Sequence, residues 1–515
     1  MTEVVGRVRR VARLPVLGVD IAGALNLVGA IVKYLSLAFL FPTAVALGYG
    51  EPVWPFLASA AICVAAGALL EFLTAGKERI GPREGFLAVA LTWLAAAFFV
   101  SLPYLFSGEG QLSSPINAYF EAMSGMTTTG ASILTDIPAL NDSLALWRQF
   151  SQWLGGMGII VLALAVLPRL RVGGRQLMEQ ELPGPEVERI TASIRATARR
   201  LWVLYVGLTV AQVAALSVVA WTGVDDRMSF YNAVAHAFTT MPTGGFSTEA
   251  RSIEAFGAAS QWIIAAFMIL AGTNFALMYR ALARRQVRLI GRDEEFRLYL
   301  ALLLLGSVVL LTELWAKGLF AGEEAVRQSV FQAVSMMTTT GYASTDFNEW
   351  LVAAPLAAML LVALMFPGGS AGSTAGSIKV VRHVVIGKML RRELDQTVHP
   401  ELVSPLRLNG GSVDERTLRA VITFVLLYVG IFVVGSIALL IDATLGDLTL
   451  TPFEAIAAAA TTLGNVGPAF GFAGPMGSFD PFSDLSTGIM IALMWLGRLE
   501  IIPIVVLFTR NYWRA

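Results

Sequence analysis

Four short segments of this 515-residue chain each place a glycine just after a small hydroxyl-bearing or apolar stretch. They read TTTGAS at 127–132, MPTGGFST at 241–248, TTTGYAS at 338–344 and TTLGNVGPAFG at 461–471. Glycine permits backbone conformations that turn successive carbonyl groups inward, and rings of such carbonyls can replace the hydration shell of a potassium ion. None of the four segments contains a carboxylate, which argues against a calcium-type ring of Asp or Glu. The four segments therefore predict a cation filter made of backbone carbonyls.

The composition indicates that these segments belong to a protein that crosses a membrane many times. Hydrophobic residues make up 56% of the chain and charged residues 14%, whereas soluble domains carry about a quarter charged residues. Apolar runs long enough to span a bilayer of about 30 Å recur along the sequence. The ten predicted spans are residues 24–48, 54–76, 84–106, 149–168, 201–222, 258–283, 297–318, 352–379, 417–441 and 485–509.

Four shorter apolar runs precede the glycine segments, at 115–128, 228–240, 324–338 and 451–462. A bilayer needs around 20 helical residues, so these runs are too short to cross it. They are typical of re-entrant half-helices, which occur at membrane depth only where they are buried in protein or line water. Because each half-helix ends at a glycine segment, the negative end of its dipole would face a cation in the pore.

After the first two spans, the chain repeats one unit of long helix, half-helix, glycine loop and long helix. The predicted fold is an all-α polytopic membrane protein with four pseudo-repeated helix–pore-loop–helix units around one central pore, plus an N-terminal pair of transmembrane helices. The predicted parts are the N-terminal pair at 1–80, repeat 1 at 81–170, a cytoplasmic loop at 171–200, repeat 2 at 201–290, repeat 3 at 291–395, a second cytoplasmic loop at 396–416 and repeat 4 at 417–515.

The distribution of basic residues predicts which side of the membrane each loop occupies. Lys and Arg concentrate in the segments that lie on one side, and such segments face the cytoplasm. This rule places both termini inside and all four glycine segments outside. The basic residues of the predicted outer segments are Arg148, Arg227, Arg251, Lys317 and Arg327.

In its glycine segments the chain resembles the Trk/Ktr/HKT superfamily of potassium transporters, most closely the TrkH branch, over about residues 20–515. The resemblance implies one filter strand from each repeat, with a central glycine at Gly130, Gly244, Gly341 and Gly467. Family members with serine at the first of these positions tend to favour sodium, so Gly130 implies potassium. Neighbouring carbonyls would come from Thr128, Thr129, Pro242, Thr243, Thr339, Thr340, Asn465 and Val466.

The segment FPGGSAGSTAGSIK at 366–379 interrupts one predicted span. Each glycine in a helix costs about 1 kcal/mol relative to alanine, so this run should break the helix at mid-membrane, where irregular backbone must line a cavity. It lacks the G-x-x-x-x-G-K-[ST] pattern of a phosphate loop. The resemblance implies an intramembrane gate beneath the filter, and a passive hinge is the alternative. The candidate gate residues are Gly368, Gly369, Ser370, Gly372, Ser373, Gly376 and Ser377.

Arg498 lies well inside the last predicted span. An arginine at that depth costs several kcal/mol unless it is paired or in contact with water. Facing the pore, it could repel cations when the gate is shut or pair with carbonyls of the gate segment. The resemblance supports this role, because TrkH-like proteins carry such an arginine in the same helix. The alternative is a structural ion pair, with Glu500 or another buried carboxylate.

These features favour potassium uptake through a gated pore in the cytoplasmic (inner) membrane of a bacterium, with potassium as the transported ion and no organic cofactor. The alternative is a proton- or sodium-coupled potassium symporter on the same fold, although few titratable residues lie along the predicted pore. An enzyme is disfavoured, because the sequence has no cluster of Asp, Glu or His at a membrane edge.

The resemblance also implies partners on the cytoplasmic side. It implies a homodimer and a cytosolic TrkA-like nucleotide-binding ring, for which the charged loops 169–200 and 380–416 offer a docking face. Solvated connecting helices are the alternative interpretation of both loops. The chain itself has no nucleotide-binding motif. We expect it to contact membrane lipid and not to bind nucleic acid.

Overall fold

The structure, a computed structural model, describes residues 18–76, 81–165, 194–283, 285–286, 288–402, 404–446 and 448–514. These parts are helical almost throughout, which confirms the predicted all-α class. Two strands of two residues each, β1 (Arg407–Leu408) and β2 (Gly411–Ser412), pair antiparallel in the second predicted cytoplasmic loop. The first predicted cytoplasmic loop, 171–200, lies for the most part outside the described residues.

The N-terminal pair of helices packs side by side. The helix α1 (Ile21–Leu35) continues through one 3₁₀ turn into α2 (Leu40–Tyr49), and α3 (Trp54–Leu73) lies against α1. The two helices also share an ion pair between Lys33 and Glu71. This pairing supplies a counter-charge for a lysine that would otherwise lie inside an apolar helix.

Four units of similar order follow the N-terminal pair. Their helices are α4 (Pro82–Ser107), α5 (Pro115–Met126) and α6 (Asp142–Ala165) in repeat 1; α7 (Ile194–Thr222), α8 (Phe230–Thr240), α9 (Ala258–Ala271) and α10 (Phe275–Ala283) in repeat 2; α11 (Arg288–Arg292), α12 (Glu294–Ala316), α13 (Gly322–Met337), α14 (Trp350–Ala353), α15 (Pro355–Leu364) and α16 (Val380–Val398) in repeat 3; and α17 (Glu415–Leu445), α18 (Pro452–Gly464), α19 (Asp484–Arg498), α20 (Ile502–Val505) and α21 (Arg510–Trp513) in repeat 4.

The half-helices α5, α8, α13 and α18 begin and end close to the predicted positions. Local sequence explains where they start. Proline occupies the first helical position of α5 and α18, where its missing N–H costs nothing. Thr451 and Glu454 form a capping box at the start of α18. The Glu454 carboxylate is therefore engaged at the start of its helix and is not free to face the pore.

The long helices are apolar enough to cross a membrane. Within the described residues, six helices satisfy length and hydropathy for a span, or up to eight if each of two sharply bent pairs counts as one span. The bent pairs are α9 with α10, at 102°, and α19 with α20, at 113°. The predictions of continuous helices over 258–283 and 485–509 are therefore wrong.

Hydrogen bonds to segment 366–379 explain the first of these breaks. The carbonyl of Gly272, at the end of α9, accepts from Ser370 N at 2.8 Å, and Phe275 N at the start of α10 donates to Gly372 O at 3.2 Å. The break leaves backbone groups of α9 and α10 without partners in a helix. They bond to repeat 3 instead, so these buried polar groups do not remain unpaired. The repeat 3 segment between α15 and α16 is itself non-helical, as predicted.

The four repeats follow one another around a closed ring. Hydrogen bonds near the glycine segments join each repeat to the next and the last to the first. These bonds are Gln152 Nε2 to Gly244 O at 2.7 Å, Ile253 N to Ala343 O at 2.9 Å, Gly471 N to Asn348 Oδ1 at 2.9 Å and Phe479 N to Ser132 O at 2.9 Å. This closure places the ends of the four half-helices around one axis.

Candidate ion-conduction site

The four half-helices end in the same backbone turn. The first residue of each turn has a left-handed conformation, with φ of 52° at Thr128, 55° at Thr243, 56° at Thr339 and 55° at Asn465. This closing turn normally uses glycine or asparagine, and a β-branched residue with positive φ is strained. Such strain persists only where the surrounding structure enforces it, and it is concentrated at functional sites.

The next residue of each turn folds back onto its own half-helix. Its N–H donates to the carbonyl five residues earlier in all four repeats, which satisfies an otherwise free helix-terminal group. The bonds are Thr129 N to Ser124 O at 2.8 Å, Gly244 N to Thr239 O at 2.8 Å, Thr340 N to Ser335 O at 2.9 Å and Val466 N to Thr461 O at 2.9 Å.

This register corrects the sequence alignment of the second segment by one residue. Gly244 occupies the place of Thr129, Thr340 and Val466, whereas Gly245 occupies the place of the other central glycines. Gly245 has a positive φ of 82°, and Gly244 does not. The predicted equivalence of Gly244 with the central glycines is therefore wrong. The same shift applies to Pro242. It lies one residue before the left-handed Thr243 and so does not occupy the place of Thr128 or Thr339.

The central glycines bring the four strands into direct backbone contact. A Cβ added to any of them would lie 3 Å or less from a carbonyl oxygen of the next strand around the ring, closer than real side chains approach. The distances are 2.1 Å from Gly130 to Gly244 O, 2.0 Å from Gly245 to Thr340 O, 1.8 Å from Gly341 to Val466 O and 2.9 Å from Gly467 to Thr129 O. These four positions are therefore closed to any side chain.

The carbonyl oxygens of the ring have almost no protein partners. Gly244 O accepts a hydrogen bond from Gln152. Within the described residues, no protein donor reaches the carbonyl oxygens of Thr128, Thr129, Gly130, Thr243, Gly245, Thr339, Thr340, Gly341, Asn465, Val466 or Gly467. Buried carbonyls in proteins nearly always have a partner, so this set is suited to a ligand that supplies positive charge.

A pocket that is open to solvent adjoins the ring. Its lining includes the four central glycines Gly130, Gly245, Gly341 and Gly467, together with the loops that follow them. Its lining also contains one buried charge, that of Arg148. Among the described residues, no group of three His, Cys, Asp or Glu side chains converges as a metal site. The site that the geometry offers to a cation is therefore made of backbone oxygens.

Segment 366–379 lies against the helix ends and strands that form the ring. Thr374 Oγ1 donates to Met241 O at 3.0 Å, at the end of α8, and Gly376 N donates to Thr339 Oγ1 at 2.7 Å, in the third strand. The candidate gate residues Gly368, Gly369, Ser370, Ser373, Gly376 and Ser377 are buried, whereas Gly372 is exposed. The segment thus hydrogen-bonds to the second and third repeats at the ring, and its Gly376 also lies against Gly464 and Asn465 of the fourth.

Arg498 contacts this segment rather than Glu500. Its side chain is 3% exposed, and its Nη1 donates to Thr374 O at 2.8 Å. Its Nε and Nη2 have no hydrogen-bond partner in the described part of the chain. Glu500 instead pairs with Lys379 at 3.0 Å and with Arg382 at 2.9 Å. The predicted alternative of an Arg498–Glu500 pair is therefore wrong.

The sequence analysis missed two residues of α6 that hold the ring. Arg148, counted above among the outer loops, lies within α6, where it forms an ion pair at 2.7 Å with Glu121 of α5. Gln152, one turn further along α6, hydrogen-bonds to the second strand. The available sequence signal was a pair of polar residues four positions apart at the start of an apolar helix.

Half-helix residues at one equivalent position also brace the loops beyond the glycines. Each of three such residues hydrogen-bonds to a serine that follows the glycine of its own repeat. The pairs are Glu121 with Ser132 at 3.0 Å, His236 with Ser247 at 3.0 Å and Gln332 with Ser344 at 3.1 Å. These contacts give Glu121 and His236 structural roles in bracing the loops.

Comparison with known proteins gives a consistent result. The family model TrkH, described as a cation transport protein, matches residues 55–515. The Trk system potassium uptake protein TrkH of Escherichia coli K12 is 36% identical over 494 residues, which cover 95% of this chain and 98% of that protein. TrkG of the same organism is 32% identical over 496 residues, with 95% and 98% covered.

Solved structures agree with the sequence comparison. The crystal structure of the potassium transporter TrkH from Vibrio parahaemolyticus superposes with a TM-score of 0.83 at 32% identity, covering 96% of this chain and all of that one. The relatives and the fold are those of transporters that cross the membrane several times and not of enzymes, as predicted. This chain belongs to the TrkH family of cation transport proteins.

Proposed function

We propose that this protein takes up potassium through a pore whose filter is the four-stranded carbonyl ring. The observation that carries the proposal is the set of ring carbonyls that no donor from the described part of the chain reaches. Carbonyl oxygens can replace the hydration shell of a potassium ion where several face one pore. The names of the TrkH and TrkG relatives, which describe potassium uptake proteins, support the same ion.

The proposed filter keeps most of the residues that the sequence indicated. Its central glycines are Gly130, Gly245, Gly341 and Gly467. The other carbonyl oxygens that would coordinate the ion belong to Thr128, Thr129, Thr243, Thr339, Thr340, Asn465 and Val466. Gly244 completes the second strand. The strands are not identical, since the fourth has Asn465 where the others have threonine. The filter is therefore asymmetric.

Segment 366–379 and Arg498 form the proposed gate beneath this filter. The segment contacts both the end of α8 and the third strand, and Arg498 holds one of its carbonyls. This buried guanidinium, two of whose donor groups have no partner among the described residues, places positive charge beside the proposed path and opposes the passage of cations while it remains there. Movement of this segment would remove the obstruction and would also break the bond that holds Arg498 to Thr374 O.

The cytoplasmic membrane of a bacterium, with both termini inside, is the proposed location, because the basic residues concentrate on that side. We also propose a homodimer and a cytosolic TrkA-like nucleotide-binding ring as partners. Within α16, Leu390, Leu394 and Val398 are 61%, 60% and 71% exposed, at intervals of four residues. An apolar stripe on a charged helix is suited to contact with another protein.

Potassium and sodium fluxes through the purified protein in proteoliposomes test the proposed filter and transport mode. The expected result is a reversal potential that follows the potassium gradient and changes little with sodium or pH. Equal permeability to potassium and sodium would overturn the filter. A reversal potential that shifts with the proton or sodium gradient would instead establish the coupled symporter, which remains the alternative.

A further inference from the structure

The second filter strand is held by a side chain from the preceding repeat. Gln152 of α6 is fully buried, and its side-chain amide makes two hydrogen bonds to this strand. Its Nε2 donates to Gly244 O at 2.7 Å, and its Oε1 accepts from Phe246 N at 3.1 Å. The two bonded residues flank Gly245, so the amide spans the central residue of the strand.

The residue at 244 must be glycine for this contact to form. A Cβ at that position would lie 2.4 Å from the amide carbon of Gln152, well inside the separation of nonbonded atoms. The second strand therefore carries two consecutive glycines for different reasons. Gly245 allows the approach of the third strand, and Gly244 allows the approach of Gln152.

The other strands brace themselves with their own hydroxyl groups. Thr127 and Thr129 of the first strand join through their Oγ1 atoms at 2.8 Å. The equivalent Thr338 and Thr340 of the third strand join at the same distance. In the fourth strand, Gly467 N donates to a hydroxyl of its own half-helix, on Thr461, at 2.8 Å.

The second strand has no such hydroxyl pair. Pro242 and Gly244 stand where the first and third strands carry their threonines. Neither residue can form the local bond, because neither has a polar side chain. The Gln152 amide thus supplies from α6 the restraint that the other strands supply from within.

We propose that Gln152 is a positioning residue that sets the discrimination between potassium and sodium by fixing the second filter strand. This role rests on the proposed carbonyl filter. Sodium is the smaller ion, so it is coordinated well only if the carbonyls can move inward. The bonds to Gly244 O and Phe246 N oppose that movement. Loss of both frees one quarter of the ring to contract around sodium.

The test compares Gln152→Leu with Gln149→Leu. Gln149 lies three residues earlier in α6, is equally buried, and its amide has no hydrogen-bond partner in the described part of the chain. Both variants remove a buried amide, but only the first removes contact with the filter. The potassium-to-sodium permeability ratio should fall about tenfold in Gln152→Leu, as the loss of one or two net hydrogen bonds would produce. It should stay unchanged in Gln149→Leu.

A second variant covers the case in which Gln152→Leu does not fold. At a pH that keeps its carboxylate ionised, Gln152→Glu preserves the shape and the acceptor for Phe246 N, but it lacks the donor for Gly244 O. It should lower the ratio as well, and hydrogen exchange of the Phe246 amide should remain slower than in the leucine variant if that variant is obtained.

The outcomes separate this inference from the filter proposal. A fall in the ratio for the Gln152 variants alone supports the inference. Equal ratios in wild type and in every obtained Gln152 variant would overturn it, as would an equal fall in Gln149→Leu. A wild-type protein that does not discriminate between the ions would overturn the filter proposal itself.

Discussion

Replacing Glu121 by glutamine would leave the Arg148 guanidinium buried without its counter-charge. Both side chains are completely buried, and the closest charged atoms are 2.7 Å apart. Arg148 also donates to Ser132 Oγ at 3.2 Å and to Ser247 O at 3.3 Å. The pair therefore connects α5 and α6 to the loops that follow the first two filter strands.

The complete burial of both side chains determines how much stability each variant should lose. Breaking a buried ion pair by removing one partner costs about 3–5 kcal/mol, because an uncompensated charge remains in the protein. Glu121→Gln and Arg148→Met should each lower stability by that amount. The double variant removes both charges and should lose less than either single variant, about 1–2 kcal/mol for the hydrogen bonds that remain unmade.

The assay is thermal unfolding of the purified protein in detergent, followed by potassium flux for the variants that fold. An exposed pair provides the control: Arg251 and Glu254 also approach to 2.7 Å, but their side chains are 58% and 30% exposed. Glu254→Gln should cost less than about 1 kcal/mol. The reasoning fails if Glu121→Gln is no more destabilising than Glu254→Gln, or if the double variant is the least stable.

Three further variants test the filter and the gate by ion flux in proteoliposomes. Arg498→Ala should raise leak conductance about tenfold in the resting state, through loss of charge beside the proposed path; unchanged flux in a folded variant would contradict the gate role. Gly245→Ala should abolish potassium flux, since its Cβ would lie 2.0 Å from a carbonyl of the next strand, whereas Gly207→Ala, with open space around its Cβ, should transport normally. Thr339→Val removes the acceptor for a gate-segment N–H at 2.7 Å and should increase leak without changing ion selectivity, because a buried donor left unpaired costs about 1–3 kcal/mol. Thr128→Val, whose hydroxyl has no hydrogen-bond partner within the described residues, is its control, and equal effects of the two would refute the proposed link.

The half-helices and their glycine segments could be predicted because both depend on local sequence. Proline and a capping box mark helix starts, and short apolar length excludes a span. The register of the second strand could not be predicted in the same way. A glycine doublet fits two alignments equally well, and the choice depends on Gln152, which is distant in sequence.

The helix breaks were missed for a related reason. Apart from Thr273 and Asn274, the residues around Gly272 are apolar and compatible with a continuous helix. The break is stabilised by hydrogen bonds to Ser370 and Gly372, about a hundred residues later in the chain. Arg148 was assigned to a loop because the predicted helix began seven residues too late. In each case a tertiary contact outweighed the local pattern.

The strained threonines of the closing turns have a consequence for how the protein is made. Thr128, Thr243 and Thr339 adopt a conformation that an isolated helix end would avoid, so each turn depends on its neighbours. The first strand meets the fourth through Asn465 Nδ2 and Thr129 Oγ1 at 3.0 Å. During synthesis the early repeats enter the membrane before that partner exists. We therefore expect the conduction path to take its final form late, after the fourth repeat has inserted. A partly synthesised chain should not conduct potassium selectively.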